Sequence, residues 1–156
     1  MVKLLFYPVF LFMVFVLSLI YIPKQDYKEY FIYGVLMGGL GDVISVGIFQ
    51  NLLHVIWFKN MGIFNALGQN LLSPPSWVFV IMLFLRFLPR RRYFLVFYVL
   101  TVAMSSVGYG ILVRNAGLFD YRSWFYPVVS FFVFLAWWCT ATWLFLKTST
   151  LAAEDN

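Results

Sequence analysis

Residues 37–57 of the chain read MGGLGDVISVGIFQNLLHVIW, an apolar run that contains one carboxylate, Asp42. The run fits a helix that crosses a bilayer, although an ionised carboxylate near the bilayer centre costs about 2.5–3.5 kcal/mol on insertion scales. Gly34, Gly38 and Gly41 recur at intervals of four and three residues and therefore share one helix face. The stretch predicts a transmembrane helix with a close-packing face and an acid beside that face.

The composition extends this prediction to the whole chain. Of the 156 residues, 63% are hydrophobic and 11% are charged, and the mean hydropathy is +0.89. A water-soluble domain of this length could not bury so much apolar surface. We therefore expect a single all-α polytopic membrane domain over residues 1–156, with the lipid bilayer as its main partner. The net charge of +5 does not indicate nucleic-acid binding, because the basic residues form short clusters between apolar runs.

Five apolar segments approach the length needed to cross the roughly 30 Å hydrocarbon core. They predict one helix followed by two tandem helical hairpins and a polar tail at 147–156. We interpret the first segment as a retained helix rather than a signal peptide. The third segment spans only if residues 71–75 join it, so four spans are the alternative. The predicted spans are 4–22, 30–58, 71–88, 93–113 and 123–146.

Two segments that follow predicted spans resemble each other. Residues 59–65 read KNMGIFN and residues 114–120 read RNAGLFD. Glycine just past a helix end adopts the left-handed conformation easily, so both segments are predicted to be helix stops, with Ile63 and Leu118 packed on the last turn. A ligand-binding loop is the alternative. With five spans, both segments lie on one side of the membrane.

The basic residues predict the orientation. With five spans, four of them lie on one side and seven on the other, and the positive-inside rule then places the N-terminus outside and the C-terminus in the cytoplasm. A four-span chain with both termini in the cytoplasm also divides its basic residues seven to four, so the charges do not decide between five spans and four.

Asp42 is the first candidate functional residue. Three roles are open for its carboxyl group. It is neutral or hydrogen-bonded and locks two helices together, or it handles protons or cations. The third role is pairing with a cationic residue of a partner subunit. The fourth span supplies the expected packing partner through Gly108 and Gly110. The candidate intramembrane polar site consists of Asp42, Ser45, Ser105 and Ser106.

A second polar group lies near the outer end of the second span. Gln50 and His54 are four residues apart and share a helix face. They either make local hydrogen bonds or form a pocket for a quinone-like, lipid-like or peptide ligand. The candidate outer-side patch consists of Gln50, His54, Trp57, Asn65, Gln69 and Asn70.

The chain has few groups for chemistry. One cysteine and one histidine cannot form a disulfide, a zinc cluster or a bis-histidine haem site. No nucleophile, phosphate-binding or dinucleotide motif is recognisable. We therefore expect neither an enzyme nor a metal or cofactor site.

Four stretches carry a family resemblance: GGLGD at 38–42, KNMGIFN at 59–65, SPPSW at 73–77 and GLFDYRSWFYP at 117–127. Together they resemble uncharacterised small multi-spanning membrane proteins of Gram-positive spore-forming bacteria, over nearly the whole chain. The resemblance implies a bacterial plasma-membrane location and no assigned activity.

Three functions fit these observations. The first is a non-enzymatic accessory or assembly subunit that binds a second copy or a partner membrane subunit through the glycine face. The second is a small transporter or a proton or cation conductor centred on Asp42. The third is a sensor or binding protein for a lipid-like or quinone-like ligand near Gln50, His54 and Trp57.

Overall fold

The computed structural model describes residues 2–66 and 68–154, which form five long helices with short strands at one end. The helices are α1 (Val2–Tyr21), α2 (Tyr27–Leu52), α3 (Ser73–Arg86), α4 (Arg92–Asn115), α5 (Phe125–Thr148) and a short α6 (Thr150–Glu154). The strands are β1 (Ile56–Phe58), β2 (Asn65–Ala66), β3 (Gln69–Asn70) and β4 (Phe119–Tyr121). The predicted helical class is confirmed. Of the predicted polar tail, residues 155 and 156 lie outside the described part of the chain.

Three of the five long helices have the length and composition to cross a membrane, namely α2, α4 and α5. Counted over Leu5–Tyr21, α1 is a shorter apolar helix, and so is α3. With 14 residues, α3 extends about 21 Å, less than the roughly 30 Å hydrocarbon core. Apart from α2, each predicted span matches its helix to within two residues at either end.

The five long helices run alternately between two ends of the bundle. At the strand end, the ring of Tyr7 near the start of α1 lies 6.4 Å from that of Phe58 in β1. At the opposite end, Arg86 Nε donates to the backbone oxygen of Tyr21 over 3.1 Å. Also at that end, the carboxylate of Glu29 accepts hydrogen bonds from the backbone N–H and hydroxyl of Thr150, which attaches α6 to α2.

The second helix ends at Leu52, so the predicted end at residue 58 is wrong. His54 has a positive φ of 50°, which interrupts the helix. The β-branched and aromatic residues that follow favour a strand, and β1 pairs antiparallel with β4. This pairing supplies backbone hydrogen bonds that a helix would otherwise provide, including Arg122 N to Val55 O and Lys59 N to Leu118 O, each 2.8 Å.

Of the two related segments, only the second is a helix stop. Gly117 has φ 73°, and the N–H groups of Gly117 and Leu118 bond the carbonyls of Arg114 (2.8 Å) and Val113 (3.1 Å), which is a Schellman motif with Leu118 buried beside Val113. In the first segment a one-turn 3₁₀ helix follows a strand, and Ile63 is 82% exposed, so that prediction is wrong.

The two related segments nevertheless lie together at the strand end. The side-chain amide of Asn60 donates to the backbone oxygen of Gly117 over 2.7 Å, and β1 pairs with β4 alongside. Both segments are therefore at the same end of the bundle, as expected for five helices that alternate in direction.

The glycine face of α2 packs on α3. A Cβ atom added at Gly34 would lie 2.7 Å from the backbone oxygen of Val78, and one at Gly38 would overlap the backbone carbonyl of Trp77. The neighbouring atoms are backbone, so a side-chain rotation cannot relieve the overlap. The predicted close-packing face exists, but its partner is α3 and not α4.

The other predicted packing glycines have different surroundings. A Cβ atom at Gly41 would lie 2.9 Å from the ring of Trp137 in α5, and one at Gly110 would overlap the ring of Tyr126. Gly108 faces open space, so its predicted role in packing is wrong.

The core and the surface are both apolar. Ile81, Met82, Ala103 and Ala141 have no exposed surface and fill the half of the bundle away from the strands. The outside carries many large exposed apolar side chains, among them Phe12, Leu52, Phe97, Met104 and Trp143. Such a surface is unfavourable in water and suits contact with lipid.

Candidate functional site

A cavity of about 120 Å³ lies in the half of the bundle nearest the strands, with Asp42 in its wall. We call it the Asp42 cavity. More than half of its lining residues are aromatic, and its other polar groups are hydroxyls and indole N–H groups. The lining includes Tyr7, Ser45, Ser73, Trp77, Ser106, Tyr109, Tyr126, Ser130, Trp137 and Trp138.

Asp42 projects from the second of two α-helical stretches within α2. That stretch, Gly41–Val46, lies between two π-helical segments, Gly34–Leu40 and Gly47–Leu52. A π turn is wider than an α turn and shifts the faces of the residues that follow it, and such turns are frequent at functional sites. The π segment Gly34–Leu40, which precedes Asp42, therefore shifts the direction in which the Asp42 side chain faces.

Two neutral donors hold the carboxylate of Asp42, which is 7% exposed. Gln69 Nε2 donates to Oδ2 over 2.8 Å, and the hydroxyl of Ser73 is a second hydrogen-bond partner. Among residues 2–66 and 68–154, no basic side chain forms a salt bridge with Asp42. The acid is thus buried with hydrogen bonds and without a cationic partner from the described part of this chain.

A small hairpin positions Gln69. Strands β2 and β3 pair antiparallel, with Ala66 opposite Gln69, and Gly68 has φ 83° in the turn between them. The amide oxygen of Asn65 accepts from Gly68 N, and that of Asn70 accepts from Leu72 N just before α3 begins. These bonds hold the shape of the hairpin, in which Asn65 is exposed, Gln69 contacts Asp42 and Asn70 is almost fully buried.

The predicted partners of Asp42 divide into two groups. Ser45 and Ser106 line the cavity, and the hydroxyl of Ser106 accepts from Trp138 Nε1 over 2.9 Å. Ser105 is exposed to the outside of the bundle and donates to the carbonyl of Thr101, so it is not part of the site. Sequence reasoning missed Ser73, although its position directly before two prolines was a signal for a helix start near Asp42.

One polar group in the cavity wall has no partner. Trp137 Nε1 is buried and makes no hydrogen bond within the described residues. Its ring lies against Gly41, the residue before Asp42. A buried donor without an acceptor costs about 1–3 kcal/mol, so a ligand oxygen that reached this N–H group would be bound favourably.

The six-residue outer patch predicted from the sequence is divided in the structure. Gln50, His54 and Trp57 border an open surface recess together with Arg122. Gln50 Nε2 donates to Gly68 O over 2.8 Å, which fastens α2 to the hairpin. The remaining three predicted members, Asn65, Gln69 and Asn70, belong to the hairpin and do not border this recess.

An ion-pair cluster joins the two related segments at the strand end. Lys59 Nζ lies 2.6 Å from Asp120 Oδ2, and Arg114 Nε lies 3.1 Å from Asp120 Oδ1. The hydrogen bond from the ammonium group of Lys59 holds the pKa of Asp120 below its ordinary value.

Replacing Asp120 by Asn should lower the melting temperature slightly at neutral pH, because exposed pairs stabilise weakly. Since the folded-state pKa is lowered, this stabilisation is present above the ordinary carboxyl pKa of about 3.9 and is lost as pH falls through the lowered value. Thermal melts of both proteins from pH 7 to pH 3, with Asp26→Asn as the control, should converge in acid. A difference that grows in acid would contradict the ion-pair assignment.

Comparison of the chain with family models, with curated proteins and with solved structures finds no match. The chemistry of the Asp42 cavity therefore has to be derived from its own residues.

Proposed function

We propose that this chain is a five-span integral membrane protein that binds a small amphipathic molecule in the Asp42 cavity and is not an enzyme. The observation that carries the proposal is a buried carboxylate without a cationic partner in an aromatic cavity that also contains an unpartnered indole N–H. Buried polar groups normally find partners, and a bound molecule would supply them here. The described lining residues include no histidine, cysteine or lysine, which favours binding over catalysis.

Five crossings are supported by the alternation of the long helices between two ends. The short α3 packs against α1 and α2, and Ile81, Met82, Phe84 and Leu85 on it are buried. A short helix of this kind need not match the full lipid thickness, because the bilayer can thin locally around it. The seven-to-four division of basic residues favours an outside N-terminus and a cytoplasmic C-terminus, and the family resemblance favours a bacterial plasma membrane.

Of the three functions predicted from the sequence, ligand binding is expected near Gln50, His54 and Trp57, which border an open surface recess and do not line the Asp42 cavity. The other two hypotheses receive less support. Conduction through Asp42 requires a polar path across the bundle, whereas Ile81, Met82, Ala103 and Ala141 fill the half beyond the cavity. Assembly through the glycine face requires that face to be free, whereas Gly34 and Gly38 pack on the chain's own α3.

The proposal is tested with the purified protein in lipid nanodiscs and a set of neutral, cationic and anionic fragments of about six to ten non-hydrogen atoms, matched to the cavity size. We expect at least one fragment class to raise the melting temperature of the wild type. Ser45→Met, which fills the cavity, should abolish the shift. Ser105→Met is the matched control on the outer surface of the bundle and should retain it.

If no fragment class shifts the wild type, or if Ser45→Met and Ser105→Met respond alike, the Asp42 cavity is not a binding site and the proposal is wrong. The assay uses stability and not activity, so it requires no knowledge of a natural ligand.

A further inference from the structure

On the basis of the proposed binding function, we infer that the ligand of the Asp42 cavity is a small organic cation, an alkyl- or arylammonium that also carries a hydrogen-bond acceptor. Three features of the wall point to this class: its charge, its aromatic faces and its free donor.

The composition of the wall disfavours an anion. Asp42 contributes a carboxylate, and the described lining contains no lysine, arginine or histidine. Its two hydrogen-bond partners, Gln69 and Ser73, are neutral, so they orient the carboxylate without neutralising it. A buried carboxylate is costly without a counter-charge, and a cationic ligand would supply that counter-charge from within the cavity.

The aromatic faces favour an organic cation over a metal ion. Trp77, Trp137 and Trp138 line the cavity, together with Tyr109 and Tyr126. The electron-rich faces of such rings attract ammonium groups, and desolvated sites strengthen the attraction. A metal ion would instead require several oxygen ligands, and the described residues contain no cluster of three metal-ligating side chains.

The free donor and the volume define the rest of the ligand. Trp137 Nε1 has no acceptor, so a hydroxyl, ether or carbonyl oxygen on the ligand would complete its hydrogen bonding. The cavity of about 120 Å³ is somewhat smaller than the roughly 150 Å³ engineered cavity that holds benzene. The part of the ligand that lies in the cavity is therefore about as large as benzene, whether it is a whole molecule or the head group of a longer one.

Choline and its neutral isostere 3,3-dimethyl-1-butanol are matched probes, because they differ only in a quaternary nitrogen replaced by carbon. Binding of radiolabelled choline is measured on the protein in nanodiscs of phosphatidylethanolamine and phosphatidylglycerol, which contain no choline head group. We expect saturable binding of choline. The neutral isostere should compete with an affinity lower than that of choline by about tenfold or more. Asp42→Asn should remove this preference while retaining the helical far-UV circular dichroism of the wild type.

A second pair of measurements tests the free donor. Trp137→Phe keeps an aromatic face but removes the N–H group, so it should lower the affinity for choline several-fold. The same substitution should leave the affinity for tetramethylammonium, which has no oxygen, nearly unchanged. Equal losses for both probes would show that Trp137 acts through packing alone and would overturn the acceptor requirement.

The outcomes separate this inference from the proposed function. If neutral fragments bind and are blocked by Ser45→Met while choline does not bind, the cavity is a site for neutral ligands and the cation assignment is wrong. If the isostere competes as well as choline in the wild type, the charge of Asp42 is not used and the assignment is also wrong, even if Asp42→Asn fails to fold. If no fragment binds, the proposed function itself fails.

Discussion

Replacing Gly38 by Ala is expected to destabilise the folded bundle by about 3 kcal/mol, toward the upper end of the cost of overpacking. The added Cβ atom would overlap the backbone carbonyl of Trp77, so α2 and α3 must separate to accommodate it. Intrinsic helix propensity opposes this effect, because Ala is favoured over Gly by at most about 1 kcal/mol. Reversible unfolding by sodium dodecyl sulfate in mixed micelles, followed by circular dichroism, measures the difference.

Gly108→Ala is the matched control for this substitution. Gly108 lies in a regular helix and faces open space, so the same change should be neutral or stabilising by up to about 1 kcal/mol. Equal destabilisation at both positions would mean that the close contact between α2 and α3 does not exist.

Replacing Trp138 by Ala is the second substitution with a large expected effect. Trp138 is 1% exposed, its ring centroid lies 4.4 Å from that of Phe84, and its Nε1 donates to Ser106. Truncation removes these contacts and opens a void, which costs about 3–5 kcal/mol for buried tryptophans. We expect about 3 kcal/mol, because packing and not exclusion of water stabilises helix contacts in lipid.

Trp143→Ala on the same helix is the control for Trp138. Its side chain is 58% exposed and contacts Lys147 from outside the bundle, with Nζ 5.1 Å from the ring. In the same unfolding assay the change should cost less than about 1 kcal/mol, as for surface substitutions. If Trp138→Ala and Trp143→Ala were equally stable, the position of Trp138 in the core would be incorrect.

The helical class and the glycine face could be predicted from local patterns. Hydrophobic composition and the spacing of Gly34 and Gly38 depend only on neighbouring residues in the chain. The identity of the helix that packs on this face is a tertiary property. The fourth predicted span contains glycines and serines and was the expected partner, but α3 packs there through the backbone of Trp77 and Val78.

The end of α2 and the set of residues that surround Asp42 could not be predicted from the sequence for a similar reason. Apart from His54, residues 53–58 are apolar and continue the helical pattern. Only pairing with a strand some sixty residues later makes β1 favourable. The sequence predicts that Gln69 belongs to an outer patch with Gln50 and His54. A two-stranded hairpin instead brings Gln69 into contact with Asp42. Long-range contacts of this kind cannot be read from residue spacing.

Native mass spectrometry of the wild-type protein, released directly from its own membranes without detergent exchange, tests the binding role of the Asp42 cavity most directly. We expect a low-mass adduct on the wild type and on Ser105→Met, and no adduct on Ser45→Met, whose added side chain fills the cavity. A wild-type protein that is always free of small molecules, or an adduct that Ser45→Met retains, would contradict a ligand site at Asp42.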